Sequence, residues 1–324
     1  MPDTIDPADL HVPFGCATNG RDLIVIAPDQ AGWQYTGLNV VQLAAGESRV
    51  VELEGYEFAV LPIAGGGCSV EVAGATHQLA GRESVFQRVT DFVYVGCGDD
   101  ARITAGSAPI ELALPMARAE RAIDAYRCAA EDVPVETRGA GNSTRQLNNF
   151  LAPGVCDAHR LVAVEVLTPA GNWSSWPPHK HDHAGGVAGV GGEAELEEIY
   201  WFRIAERGDG DGGAFGMHRT YDLEQKWDIS TAVHDRDVFL VPRGYHGPCI
   251  ASPAHDMYYL NVLAGPEAER SLGFSDDPAL AYVRDTWKTM EADRRVPLCT
   301  AAGPSADNTS TTRAVASAAT GVSS

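Results

Sequence analysis

A chain of 324 residues with 44% hydrophobic composition carries enough apolar material for one large domain or two smaller ones. Its 24 Lys and Arg face 44 Asp and Glu, a formal net charge of −20. So acidic a surface repels phosphate backbones and anionic bilayers, which argues against nucleic-acid and membrane partners but leaves room for a small anionic substrate beside a few local cations. Seven scattered cysteines without a CxxC pair suit free thiols in a reducing compartment. The opening MPDTIDPADLHVPFG has no basic or apolar leader pattern. No run approaches the ~20 apolar residues that span a bilayer. A cytoplasmic protein is expected.

In chain order, short β-type runs come first. DLIVIAP, RVVELEG, EFAVLPIAG, CSVEVAG, THQLAG, DFVYVG and ARITAG are separated by Gly, Pro, Asp or Asn. Their spacing of roughly ten residues predicts a sandwich or barrel rather than βαβ units. PMARAERAIDAYRCAAEDV (115–133) is Ala-rich and predicts a helix or a bridging segment. A second β set follows in HRLVAVEVLTP, EEIYWFRIA, GAFGMHRTYD, DVFLVPRGYHGPCIA and MYYLNVLAG. The expected fold is therefore all-β, two tandem β-barrels with a few short helices, the first over 1–135 and the second over 136–300. DPALAYVRDTWKTMEADRR (277–295) predicts a closing helix. Residues 301–324 are small, polar and low in complexity and predict a disordered tail.

Within the second half, SSWPPHKHDH (174–183) places His179, His181 and His183 on alternate positions after a Pro-Pro pair that favours extended backbone. Side chains two apart on a strand share a face, so His179 and His181 aim at one point and Lys180 points away. LEEIYWFRI brings Glu198 onto a strand face shared with Tyr200 and Phe202. FLVPRGYHGP ends a strand and a turn at His246. Three histidines and a carboxylate form an N3O donor set for a divalent ion, with positions left for water or substrate; Zn, Mn, Fe and Ni all suit it.

HKH, then Glu, then a distant His resembles the cupin metal motif, with 16 residues rather than a few between His181 and Glu198. Those residues, DHAGGVAGVGGEAELE, read as a Gly-rich insertion and leave Glu197 as a substitute donor. NWSSWPPHKHD, LEEIYWFRI, GAFGMHRTYD, DVFLVPRGYHGPCIASPAHDMYYLNVLAGP, SVFQRVTDFVYV and RQLNNF together resemble the 5-deoxy-glucuronate isomerases of inositol catabolism, within the bicupin uronate isomerases, over most of residues 15–290. The resemblance implies His179, His181, Glu198 and His246 as ligands of a divalent metal ion, zinc first and Mn or Fe as alternatives. It implies conversion of 5-deoxy-D-glucuronate to 2-deoxy-5-keto-D-gluconate. The first half lacks the motif, with His77 standing alone, and is expected to be metal-free.

Such an aldose–ketose conversion removes a proton beside a carbonyl, which a divalent ion assists electrophilically while a base moves the proton. Glu198, His218, Lys180, Tyr200 and Tyr258 are candidates for that base; a hydride shift would need none. For His218 a structural role weighs equally. The substrate carboxylate wants a guanidinium. Arg219 is the first choice, Arg145 and Arg243 follow, and Arg203 points away from the Glu198 side by alternation. Tyr200 and Tyr258 are candidate substrate contacts. Two other readings compete: an iron dioxygenase using the same four ligands, and a sugar-binding cupin without turnover. Self-association into a homo-oligomer is compatible with the sequence.

Overall fold

The structure is a computed structural model that describes residues 9–29, 31–183, 192–205, 213–224 and 227–305. It is nearly all β. In the first half, a six-stranded sheet with Tyr56–Gly65 and Ile110–Arg118 at its centre packs on a four-stranded sheet built from Ser48–Val51, Cys68–Val72, Ala75–Leu79 and Ala101–Ala105. In the second, a seven-stranded sheet centred on Glu197–Ile204 and Met257–Ala264 is accompanied by a six-stranded sheet that carries Gly216–Asp222, Tyr245–Ala251 and His179–Lys180. The strand His11–Val12 pairs with Val238–Val241 and so joins the second half's sheet.

Strands buried on both faces read as continuous apolar runs, because successive side chains enter different cores. In Tyr56–Gly65, Phe58 and Val60 enter the core between the first half's two sheets. Ala59, Leu61 and Ile63 enter the larger core that also holds Ile199, Trp201, Leu260 and Val262 of the second half. The two large sheets therefore lie back to back across the middle of the molecule.

Two buried glutamates clasp this junction reciprocally. Glu57, at the start of a central strand of the first half, accepts the backbone N–H groups of His159 at 2.7 Å, Arg160 at 2.5 Å and Leu161 at 2.7 Å. Glu197, at the start of the matching strand of the second half, accepts those of Gln34, Tyr35 and Thr36 at 2.8–2.9 Å. Each carboxylate thus holds the backbone that leads into the partner half's next strand, Val162–Thr168 or Thr36–Leu43. We expect Glu57→Ala and Glu197→Ala each to orphan three backbone donors and to cost about 3 kcal/mol or more, read as a lower urea midpoint. Glu197→Gln, which keeps one acceptor oxygen, should lose less. Equal midpoints for wild type and Glu197→Ala would remove the clasp from the account.

The helical alternative for 115–133 and the extent of the closing helix over 277–295 are corrected. Residues 115–118 belong to the strand Ile110–Arg118, which runs beside Thr36–Leu43 over eight residue pairs; Tyr126–Cys128 is again a strand and Ala130–Asp132 a 3-10 turn. Alanine preference loses to a long ladder buried on both faces. Within 277–295 the helical part is Val283–Thr286 continued by the 3-10 turn Trp287–Thr289, and neither has a side-chain cap. Asp277 caps only a turn ahead of it: its side chain accepts from Ala279 N and its carbonyl from Leu280 N and Ala281 N, while the carboxylate also accepts from the Tyr221 hydroxyl. Residues 301–305 are not part of a loose tail: Gly303–Pro304 pairs with Cys299–Thr300. The expected tail from 306 onward and most of the Gly-rich insertion, 184–191, lie outside the described residues.

Candidate metal centre

The short strand His179–Lys180 runs antiparallel to Tyr245–Ala251 and sets His179 directly opposite His246. His181 follows at the alternate position, on the same side. One nitrogen from each of these three imidazoles lies within 4.8 Å of the others; among the described residues this is the only group of three or more such donors. Glu198 reaches the same point from the facing sheet. Its Oε2 is 3.0 Å from His246 Nε2 and 3.8 Å from His181 Nε2.

The donor set fits a cation on two counts. Glu198 Oε2 and His246 Nε2 are buried facing each other at 3.0 Å with no other hydrogen-bond partner, and an imidazole lone pair against a carboxylate is a costly state that a shared positive ion relieves. Each ring is also turned by its other nitrogen. His181 Nδ1 lies 2.8 Å from Gly273 O, His246 Nδ1 3.3 Å from Gly244 O and His179 Nδ1 3.4 Å from Pro177 O. Backbone carbonyls can only accept, so each Nδ1 carries the hydrogen and each Nε2 keeps its lone pair for the centre. Burial, then the neighbouring rings of His246 and His181, holds His179 well below the usual histidine range, and burial also lowers His181. Burial opposes charge on His246 too, but the Glu198 carboxylate overrides it and lifts that imidazole.

His179, His181 and Glu198 of this group floor a cavity of about 200 Å³. Three guanidiniums line it, from Arg138, Arg145 and Arg284. Arg138 is paired with Glu136 and Arg284 with Asp276. Arg145 is 5% exposed, donates to Ser143 O at 3.1 Å and lies under the Trp287 ring, with no carboxylate partner among the described residues. Burial lowers it to about 10, so it stays charged at neutral pH. Ser175, Tyr200, Tyr259 and Asn261 supply neutral polar groups, and the Asn261 amide nitrogen is buried without a partner.

The other residues singled out in the sequence fall elsewhere. Arg219 lies outside the cavity, stacked on Tyr221 and bidentate to Asp228 at 2.9 and 2.6 Å. Tyr258 points to the opposite face of its strand and donates to Glu165, which is bonded to Arg82 of the first half. His218 is 1% exposed, with its ring nitrogens on Cys249 Sγ and Thr220 Oγ1 and its face on Phe239. Lys180 sits by Asp182 and His183 over the Tyr245 ring, away from the cavity. His183 is exposed beside Glu193, and Glu197 faces the junction rather than the histidines. Arg203 pairs with Glu111 across the junction and with Asp235 of its own half, and Arg243 with Asp222. His77 belongs to no donor group among the described residues.

Arg138, Ser175, Tyr259, Asn261 and Arg284 were not singled out from the sequence. Only Tyr259 had a local signal, since alternation pairs it with Asn261 on one face of Met257–Ala264. Among the described residues no helix is long and apolar enough to cross a membrane.

Comparison with known proteins agrees with this architecture. The chain is 34% identical over 278 residues to the 5-deoxy-glucuronate isomerase of Geobacillus kaustophilus, covering 86% of this chain and 96% of that one. The crystal structure of an IolB-like protein from Salmonella typhimurium LT2 superposes with a TM-score of 0.76 at 34% identity, over 86% of this chain and all of that one. A Lactobacillus farciminis oxalate decarboxylase shares the fold at a TM-score of 0.57 and 11% identity, over 89% of this chain and 98% of that one. The fold is that of tandem cupins. The KduI/IolB family pattern matches residues 10–283, and the chain belongs to that family.

Proposed function

We propose that this protein is a metal-dependent 5-deoxy-D-glucuronate isomerase, forming 2-deoxy-5-keto-D-gluconate in inositol catabolism. One observation carries the reading: His179, His181 and Glu198, converging with His246, floor a cavity whose wall holds the guanidinium of Arg145, without a carboxylate partner among the described residues. A sugar acid presents the complementary groups, vicinal oxygens at one end and a carboxylate at the other.

His179, His181, Glu198 and His246 would hold the ion, and three imidazoles with one carboxylate suit zinc. When bound, a divalent ion supplies Lewis acidity toward a carbonyl oxygen. Arg145 pairs with the substrate carboxylate, and its desolvation strengthens that pairing. Leu147, Val164 and Val166 give the cavity an apolar wall that excludes water around the carbon skeleton. Tyr200 keeps its proton, because burial and then the nearby Glu198 raise it well above the usual tyrosine range, so it acts as a hydroxyl donor rather than a base. Moving a proton between neighbouring carbons falls to Glu198, the only carboxylate lining the cavity among the described residues.

The test is an anaerobic assay of the purified protein on 5-deoxy-D-glucuronate with metal analysis of the same sample. Isomerisation at an undiminished rate without oxygen, with about one zinc per chain, is expected. Turnover that requires oxygen and consumes it would replace this reading with an iron dioxygenase. Sugar-acid binding without any turnover would replace it with a binding protein.

A further inference from the structure

The wall of the cavity above Glu198 holds three hydroxyls in contact. Ser175 Oγ lies 3.0 Å from Tyr200 Oη and 3.3 Å from Tyr259 Oη. The two phenol rings are 5.0 Å apart, and the Tyr200 ring is 5.9 Å from that of His246. All three residues are buried and all three line the cavity. They come from the loop before His179 and from two adjacent strands of the seven-stranded sheet.

Ser175 is held there against its backbone preference. Its φ is +45°, a left-handed value that a non-glycine residue adopts at a cost. The surroundings impose it. Ser174 pairs with Cys249 in the ladder and donates to Cys249 O at 3.2 Å. Ser175 O packs so closely on Gly247 that a Cβ there would meet it at 1.8 Å. Gly247 follows His246 directly, so the Ser175 hydroxyl is registered to the strand that carries that imidazole. A strained residue held at a candidate site points to a function for its side chain.

A hydroxyl has one hydrogen and two acceptor lone pairs. If both phenols donate to Ser175 Oγ, its lone pairs are filled and its own hydrogen remains for a group in the cavity. Each phenol donating to it also polarises that O–H.

Resting on the isomerase reading above, we propose that the Ser175 hydroxyl, held between Tyr200 and Tyr259, donates a hydrogen bond to an oxygen of the bound sugar acid. It orients the carbons between which the proton moves, and Tyr259 acts through it as a positioning residue.

The test compares Ser175→Ala, which deletes the hydroxyl, with Ser175→Gly, which deletes it and also relieves the positive φ. Both should keep the wild-type metal content and lower kcat/KM on 5-deoxy-D-glucuronate by roughly 10- to 100-fold, the range of one lost hydrogen bond in a desolvated site. The Gly variant should melt no lower than wild type, separating the hydroxyl's role from a structural one. Tyr259→Phe should lower kcat/KM alone but change it by less than about twofold in the Ser175→Ala background. In parallel, calorimetry should show D-glucuronate binding weakened about tenfold in Ser175→Ala. This binding arm reports on the hydroxyl even if wild type fails to isomerise 5-deoxy-D-glucuronate, a failure that counts against the isomerase reading alone. Unchanged D-glucuronate affinity in both Ser175 variants, or unchanged kcat/KM where wild type is active, overturns the proposal.

Discussion

Replacing His246 or His179 by alanine is expected to remove bound metal and isomerase activity together, with turnover down by about 10³-fold or more. Both rings sit across one ladder pair, and each presents the nitrogen that no backbone carbonyl occupies. Deleting one of four donors from a buried set lowers affinity and leaves Glu198 Oε2, which has no hydrogen-bond partner beyond this set, facing a void. His246→Ala should also cost stability, because it removes the imidazole nearest a buried carboxylate. His179 is less buried and lies farther from that carboxylate, so its alanine variant should fold more nearly like wild type and serve as the cleaner probe. Elemental analysis, melting curves and the anaerobic assay on one preparation check all three quantities. A folded His179→Ala protein that kept both metal and full activity would dissolve the centre as described.

Arg145→Ala is expected to lower kcat/KM by roughly 10²- to 10³-fold at unchanged metal content, the size of two lost charge-assisted hydrogen bonds. Lysine should not rescue it, because an ammonium cannot reproduce the planar fork. The accompanying stability effect has the opposite sign. Arg145 is a guanidinium taken out of water without a carboxylate partner among the described residues, and burial shows in its lowering to about 10. Removing such a charge relieves desolvation, so Arg145→Met should melt at or above the wild-type temperature while losing substrate affinity. Arg219→Ala supplies the control: its partner Asp228 is half exposed, and the pair should matter little to activity or stability. An Arg145→Met protein with wild-type KM and kcat would show that the substrate carboxylate is bound elsewhere.

Strand content was legible because period-two patterning and turn residues are local properties. So was the shared side of His179 and His181, which needs nothing but an extended backbone between them. Where local signals misled, a tertiary contact had outweighed them. Ala-rich 115–133 reads as helical by composition, but a long ladder in a doubly buried sheet recruits its first residues. Tyr258 and Tyr259 are equally aromatic neighbours; a one-residue difference of face sends one to the junction beside Glu165 and the other into the cavity.

Thus the sequence by itself determined the all-β class, the tandem halves' strand pattern and a histidine set able to converge. The tertiary structure decided which strand faces front the cavity, which glutamate clasps the junction and which meets the histidines. It also decided that Arg145, not Arg219, has no carboxylate partner among the described residues. Periodicity is written residue by residue along the chain, whereas burial and charge compensation depend on partners far away in sequence, which only the folded arrangement brings together or keeps apart.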